Sequence, residues 1–225
     1  RLLWVSTFKI DKQAGAQIFG DFNGDKKMEL LLITGGTKNY WINREGDEFK
    51  VKVITRYVEN VAQPLFLLNP INQKFLKAGR TVSKDFDEFF FIDALYYGGP
   101  IYKATWKKDK FDVQGIVSPK NFEKDKGETG FENLNLADID NDGFDEIIIS
   151  GVRGDLVETE EEPYMKNRRD VIHIFKWNGK EYKKIWTSKS LGAITQILVD
   201  DVTGDGKKEI VVGNDKGEIH IFGQK

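Results

Sequence analysis

An acidic loop of nine residues recurs along this chain and runs each time into a short apolar strand. In its clearest copy, Asp138, Asp140 and Asp142 alternate ahead of Glu146. Alternate residues of a tight turn direct their side chains to one centre, where carboxylates form an oxygen cage for a hard cation such as calcium. The backbone carbonyl of Phe144 is expected to add a further ligand. Because such turns recur along the chain, the segments between them are expected to form short strands.

Two other segments repeat the pattern with the same spacing, and both end on a glutamate at the ninth position. An EF-hand places its glutamate at the twelfth position and lies between helices, so these loops are not EF-hands. We expect up to three structural calcium ions, bound most tightly in the copy with four acids. The expected ligands are Asp21, Asn23, Asp25, Lys27 and Glu29 in one loop, and Asp201, Thr203, Asp205, Lys207 and Glu209 in the other, each lysine through its backbone carbonyl.

Alignment on the closing glutamate reveals a further copy in which the cage is lost. Arg80, Val82 and Lys84 occupy the positions of the three alternating ligands, although an apolar strand still follows. We number the copies in chain order as loop one (21–29), loop two (80–88), loop three (138–146) and loop four (201–209). The closing residues Glu29, Glu88, Glu146 and Glu209 are spaced by 59, 58 and 63 residues, so the chain is a repeat array.

Each repeat contains short apolar runs that predict a four-stranded antiparallel unit. In the third repeat the predicted strands are 134–137, 146–150, 171–177 and 181–187, and Asn178-Gly179 marks the last turn. Such units stacked around an axis are propeller blades, because stacking buries the faces of each sheet. We therefore predict an all-β fold, a β-propeller of four four-stranded blades forming a single domain over residues 1–225. The predicted blades are approximately 13–56, 75–118, 131–188 and 193–223.

The two ends of the sequence complement each other. Residues 1–6 match residues 183–188, the outer strand of the third blade, while the last repeat stops after its third strand at Phe222. We predict that the N-terminal strand joins the last blade and closes the ring, which hides strand edges that would otherwise be exposed. The alternative is that the chain is part of a larger propeller.

The segments 20–25, 137–143 and 202–206 resemble FG-GAP or VCBS repeats, which occur in integrin alpha-subunit propellers and in many secreted bacterial proteins. The resemblance implies a propeller with structural calcium between the first two strands of a blade. It also implies a role in adhesion or ligand binding outside the cytoplasm. The chain departs from the motif at Lys26, where glycine is usual, and in loop two, which has lost its acids.

Composition restricts the partners and the compartment. A net charge of -2 and a pI near 5.9 argue against nucleic-acid binding. No apolar run approaches the ~20 residues of a membrane-spanning helix. The absence of cysteine excludes disulfides and cysteine-ligated zinc. Because cages of this kind fill readily where calcium is near millimolar, we expect an extracytoplasmic protein, whether secreted, periplasmic or on the cell surface.

The long connections 56–74, 117–130 and 152–170 are expected on the face opposite the acidic loops, and binding residues concentrate on such loops. We expect a calcium-stabilised binding or adhesion scaffold for protein or glycan. The alternative is a glycan-acting hydrolase or lyase, or an enzyme subunit, that uses the central channel. The sequence has no Gly-x-Ser-x-Gly elbow and no glycine-rich phosphate loop, which favours binding over catalysis, and it does not specify an oligomeric state. The candidate ligand-face residues are Tyr57, Tyr96, Tyr97, Phe122, Tyr164, Arg168 and Arg169.

Overall fold

The all-β prediction is confirmed. The computed structural model describes residues 14–34, 38–46, 48–55, 76–92, 99–108, 110–117, 127–157, 159 and 164–223. This part of the chain contains 17 strands in antiparallel sheets and no helix. A lipid bilayer could therefore not be crossed by any helix within those ranges. The predicted N-terminal strand 1–6 lies outside the described residues, as do Tyr57, Tyr96, Tyr97 and Phe122.

The strands form four principal sheets in chain order, each a meander in which consecutive strands pair. Sheet one contains β1 (Ala14–Gly20), β2 (Glu29–Thr34), β3 (Lys38–Glu45) and β4 (Glu48–Thr55). Sheet two contains β5 (Leu76–Gly79), β6 (Glu88–Ile92), β7 (Ile101–Lys107) and β8 (Lys110–Val117). After β9 (Glu128–Ala137) and β10 (Glu146–Arg153), a hairpin of β11 (Asp155–Val157) and β12 (Tyr164–Lys166) precedes β13 (Val171–Trp177) and β14 (Tyr182–Thr187), and sheet three has the order β14-β13-β10-β9. Sheet four contains β15 (Ile194–Asp200), β16 (Glu209–Asn214) and β17 (Ile219–Phe222).

The third repeat differs from its prediction in two places. Strand β9 begins at Glu128 rather than Leu134, because its first residues pair with the end of β10 as far as Arg153. The segment 152–170, predicted as a loop, contains the hairpin β11–β12. The added part of β9 is mostly polar, and the hairpin strands have only three residues each, so neither shows the apolar alternation by which strands are recognised in a sequence.

The second strands of sheets two and three, β6 and β10, are buried on both faces, and each separates two different cores. In β6, Phe89 and Phe91 pack with sheet one, while Phe90 and Ile92 pack with sheet three. In β10, Ile147 and Ile149 belong to the core shared with sheet two, and Ile148 belongs to the core shared with sheet four. Alternate residues of a strand point to opposite faces, so these continuous apolar runs fill the cores on both sides. The four sheets are thus stacked in chain order.

Neighbouring sheets are also joined at their loops by a reciprocal pair of hydrogen bonds. Asp87 N–H donates to the Asp21 carbonyl at 2.7 Å, and Asp21 N–H donates to Asp87 Oδ2 at 2.7 Å. Asp145 and Arg80 repeat this arrangement between sheets three and two, with both bonds at 2.8 Å. A Cβ at Gly79 would lie 2.5 Å from Asp145 Oδ2, so this close approach requires glycine. The bonds hold loops one, two and three side by side.

The first strands of the sheets also lie side by side, with β1 next to β5, β5 next to β9 and β9 next to β15. Between the last two, the amide of Asn135 donates to the Ile197 carbonyl at 3.3 Å. The acidic loops therefore occupy the same place in successive sheets.

Candidate metal centre

The closing glutamate makes an equivalent hydrogen bond in all four loops. It is buried at the start of the second strand, where one carboxylate oxygen, Oε2, accepts a hydrogen bond from the second loop residue and thereby closes the turn. The other oxygen, Oε1, differs from loop to loop in what it meets. The Oε2 donors are Phe22 N–H at 2.9 Å for Glu29, the Thr81 hydroxyl at 2.9 Å for Glu88, Ile139 N–H at 3.0 Å for Glu146 and Val202 N–H at 3.0 Å for Glu209.

In loop one, the side chains fold back onto the turn and converge. Asp21 accepts backbone hydrogen bonds from Gly24 at 2.9 Å and Lys26 at 3.0 Å, and Asp25 accepts one from Lys27 at 2.9 Å. Carboxylate oxygens of Asp21, Asp25 and Glu29 lie within 4.8 Å of one another. Lys26 has a φ of 65°, a left-handed conformation that glycine adopts more easily. The departure from the motif at this position therefore strains the turn.

Glu29 is the unusual member of this cluster. Its side chain is fully buried, and among the described residues its Oε1 has no hydrogen-bond partner. Burial, together with the carboxylates of Asp25 and Asp21, raises the pKa of Glu29 to about 7. A buried oxygen without a partner is costly, and a negative charge on it more so. A cation bound next to Glu29 Oε1 would supply the partner that this oxygen lacks and would stabilise its negative charge.

In loop three, the acids also converge, but they meet a lysine of the same chain. Oxygens of Asp138, Asp140 and Glu146 lie within 4.8 Å of one another. The ammonium nitrogen Nζ of Lys176 lies 2.7 Å from Asp142 Oδ2 and 3.0 Å from Glu146 Oε1, and it also contacts Asp140 Oδ2. Lys176 belongs to β13 and follows Phe175, which pairs with Ile147, so the register continued by one residue places Lys176 across from Glu146.

The pKa shifts of Lys176 and Asp142 agree with close contact between the ammonium group and the acids of loop three. Burial alone would lower the pKa of Lys176, but its contacts with the carboxylates of Asp140, Asp142 and Glu146 raise this pKa well above its usual value. The bond to Lys176 lowers the pKa of Asp142, whereas burial still raises the pKa of Glu146. Loop three is thus neutralised in part by an ammonium group.

In loop four, the acidic side chains do not converge into a cluster of three. Asp201 accepts hydrogen bonds from Gly204 N–H at 2.7 Å, Gly206 N–H at 2.8 Å and Asp205 N–H at 3.1 Å. Within the described part of the chain, sets of three or more acids whose oxygens lie within 4.8 Å of one another occur in loops one and three. The predicted set Asp201, Thr203, Asp205 and Glu209 therefore does not form a comparable cluster, and all but Glu209 are exposed.

Loop two, which lacks the cage acids, retains a buried glutamate that is neutralised internally. Glu88 Oε1 lies 2.8 Å from Lys103 Nζ and accepts a hydrogen bond from Thr105 at 2.9 Å. Lys103 Nζ also lies 5.6 Å from the ring centroids of both Trp177 and Tyr182 in sheet three. The lysine is thus the cationic partner of the glutamate, and it contributes a cation–π contact between sheets.

Sequence reasoning missed both lysines. Each is a charged residue within an apolar third strand, and aligning those strands on the closing glutamate would have drawn attention to them. Continuing the register of each strand pair by one residue places Asn43, Thr105, Lys176 and Gly223 across from Glu29, Glu88, Glu146 and Glu209, respectively.

Of the candidate ligand-face residues, three are described. Tyr164 and Arg169 are exposed beside the hairpin β11–β12, and an Arg169 guanidinium nitrogen lies 3.8 Å from Asp155 Oδ1. Arg168 turns inward, where Nη2 lies 2.9 Å from Glu132 Oε2 and also bonds to Asp170. The fully buried Asp170 accepts a hydrogen bond from Ile194 N–H at 2.9 Å, which ties sheet three to sheet four. Arg168 therefore has a structural contact in the place of the predicted ligand contact.

A scan of known protein-family models finds none that matches the chain, and a search of curated proteins likewise finds no match.

Proposed function

We propose that the chain is a calcium-stabilised binding scaffold of the FG-GAP or VCBS type, with its principal ion in loop one. The observation that carries this proposal is the buried, unpartnered Oε1 of Glu29 beside Asp21 and Asp25. Calcium takes six to eight oxygen ligands in a flexible geometry. Loop one offers only oxygens, from the three carboxylates, from the amide of Asn23 and from the Lys27 carbonyl, so its donor set fits this ion.

The proposed calcium site also bears on the compartment in which the protein is located. Three carboxylates bind the ion without exceptional affinity, which is sufficient where calcium is near millimolar. We accordingly propose an extracytoplasmic location. The second candidate site for calcium is loop four, whose acids would have to move closer together on binding.

The binding surface is proposed at the end of sheet three away from the acidic loops. The β10–β13 connection leaves the opposite end of β10 from loop three, and it carries Tyr164 and Arg169 on an exposed hairpin. Exposed tyrosine and arginine are common anchors at protein interfaces. Binding of a protein or glycan panel without product formation would support this role, whereas turnover of a bound glycan would favour the glycan-acting enzyme.

The first test is a single substitution in loop one. Glu29→Gln keeps an acceptor for Phe22 N–H but removes the charge, so it is expected to lower the calcium content by one ion per chain. Calcium would be counted by elemental analysis after gel filtration and by calorimetric titration. The control is Asp85→Asn, which removes an exposed acid from loop two. An unchanged count in Glu29→Gln would contradict the proposal.

The four sheets are proposed to be blades of one propeller closed by residues 1–6. Supporting this, β1, β5, β9 and β15 lie in succession, and each core joins consecutive sheets. At the other end of sheet four, β17 exposes Ile219 and Ile221, which are 72 % and 59 % accessible. A cavity of about 380 Å³ beside it is lined by Trp186, Phe222 and other apolar residues. An exposed apolar edge of this kind favours pairing with another strand.

The repeat predicts the register of that strand. Ile174 pairs with Trp186 in sheet three, and the equivalent residues are Ile221 in β17 and Trp4 in the N-terminal segment. The doubly substituted chain Trp4→Cys/Ile221→Cys is therefore expected to form an intramolecular disulfide on mild oxidation, read by mass spectrometry after proteolysis. The native chain has no cysteine that could interfere.

The matched control is Trp4→Cys/Ile219→Cys, which moves one thiol by two residues, beyond the reach of a disulfide in the proposed register. If both pairs oxidise equally, or if only intermolecular disulfides form, the closed four-bladed ring is wrong and a larger propeller is favoured.

A further inference from the structure

We propose that Lys176 is the built-in cation of loop three, so that this loop, although it has the most acids, binds calcium only when Lys176 is removed. The inference rests on the proposed function in that loops of this kind take calcium when nothing else neutralises them. It reverses the ranking of sites that follows from counting acids.

The first argument is the position of the ammonium group. An ammonium group has three N–H donors, and Lys176 Nζ has three carboxylate partners in Asp140, Asp142 and Glu146. A calcium ion would have to lie about 2.3–2.6 Å from the same oxygens. The ion and the ammonium nitrogen would therefore occupy the same space, and binding of one requires departure of the other.

The second argument is the comparison with loop one, which has the same turn. There the residue across from the closing glutamate is Asn43, whose amide donates to Glu45 at 3.4 Å instead. Lys27 approaches Asp25 only to 3.9 Å, on the exposed side of the loop. Within the described residues neither Glu29 Oε1 nor Glu146 Oε1 accepts a hydrogen bond of regular geometry. Glu146 Oε1 nevertheless lies 3.0 Å from Lys176 Nζ as an ion pair, whereas the described residues provide no such ion pair for Glu29 Oε1. A third-strand lysine therefore distinguishes the two cages.

The third argument comes from loop two, where Lys103 of the third strand pairs with Glu88 Oε1 at 2.8 Å. Lysine thus neutralises the closing glutamate in two consecutive sheets, once with the cage acids present and once without them. The two lysines occupy different positions, since Lys103 pairs with Phe90 whereas Lys176 follows Phe175, so the third strand supplies a cation to the closing glutamate from either of two positions.

A second lysine adds to the positive charge at loop three. Lys84, from loop two of the neighbouring sheet, donates to the Asp142 carbonyl at 2.8 Å and lies 4.7 Å from the Phe144 ring centroid. Two ammonium groups thus surround a loop that contains four acids at its cage positions. The consequence is that sheets two and three keep their loops folded at low calcium, and that loop one responds to the ion.

The test compares calcium binding to wild type, Lys176→Asn and Lys176→Met by calorimetric titration. Lys176→Asn installs the residue that loop one has at this place, and Lys176→Met keeps the length of the side chain without the charge. Each variant is expected to bind one calcium ion more than wild type, and the additional Asp140→Asn substitution is expected to remove that ion again. Asp140→Asn alone, with Lys176 present, is expected to leave the number of ions unchanged.

The same measurements in a Glu29→Gln background separate this inference from the proposed function. If Glu29→Gln changes nothing, the loop-one site is wrong, while a gained ion on removal of Lys176 still supports the internal cation. A loss of one ion on Asp140→Asn alone, or no gained ion in a folded Lys176 variant, would overturn the inference. The Asp140→Asn arm decides the question even if both Lys176 variants fail to fold.

Discussion

Chelation of calcium at pH 8 is expected to lower the free energy of unfolding by about 2.7 kcal/mol, if calcium is present beforehand at about 100 times its dissociation constant. The loss is expected to disappear near pH 5. The reason is Glu29, whose pKa in the folded, metal-free chain is about 7 against an ordinary 4.5. At low pH the buried carboxyl is protonated, and the ion loses a ligand.

The direction of the pH dependence follows from the raised pKa. Between pH 4.5 and 7 the folded, metal-free chain binds more protons at Glu29 than the unfolded chain, so its stability falls as the pH rises through this window. This contribution amounts to roughly 3 kcal/mol. With calcium bound, the ion favours the ionised carboxylate and offsets the fall.

The measurement is urea unfolding at pH 5, 6, 7 and 8 with calcium or with chelator. The two stability curves should coincide near pH 5 and separate above pH 7. In Glu29→Gln, calcium should have no effect through this site, and the contribution of Glu29 to the pH dependence should vanish. Curves that remain parallel over the whole range would show that Glu29 is not a ligand.

Removal of the buried lysine in sheet two is expected to have the other large effect. Lys103→Met should lower the free energy of unfolding by about 3–5 kcal/mol at pH 7, because Glu88 would remain as an uncompensated buried charge. The pair is nearly inaccessible, with side-chain exposures of 10 % for Lys103 and 2 % for Glu88. Unfolding by urea, followed by circular dichroism, measures the loss.

Two comparisons define the origin of that loss. In Lys103→Met/Glu88→Gln the buried charge is gone, so the double substitution should cost less than Lys103→Met alone. Lys107→Met removes a lysine from the same strand, whose partner Asp112 is exposed, and should cost less than about 1 kcal/mol. Equal losses for Lys103→Met and the double variant would assign the effect to packing instead of charge.

The sequence predicted the repeat and the strands that follow the loops because both depend on short-range patterns. The apolar runs after Glu88 and Glu146 are central strands buried on both faces, and such runs are evident in a sequence. The hairpin β11–β12 escaped prediction because its strands have only three residues each and are largely exposed. Its existence depends on pairing that no local pattern encodes.

The candidate site was predicted only in its residue types. Counting acids ranked loop three first, but the count omitted Lys176, which is 30 residues from Glu146 in sequence and meets it only through the register of β10 and β13. The convergence of acids in loop one and its failure in loop four likewise depend on side-chain directions. The hydrogen bonds of the first aspartate do not distinguish the two loops, since Asp21 and Asp201 accept equivalent bonds from the fourth and sixth loop residues.

The two oxygens of the closing glutamate have different roles, since Oε2 closes the turn and Oε1 faces the neutralising group, and this affects how such repeats can differ from one another. Because Oε2 closes the turn in the same way whether Oε1 meets a lysine or has no partner, the turn does not need rebuilding when the neutralising group changes. Under the assignment proposed for loops one and three, a single exchange on the third strand would be enough to make a repeat independent of dissolved calcium, or dependent on it. Repeats that share one backbone can thereby respond differently to the salt composition of their surroundings within a single molecule.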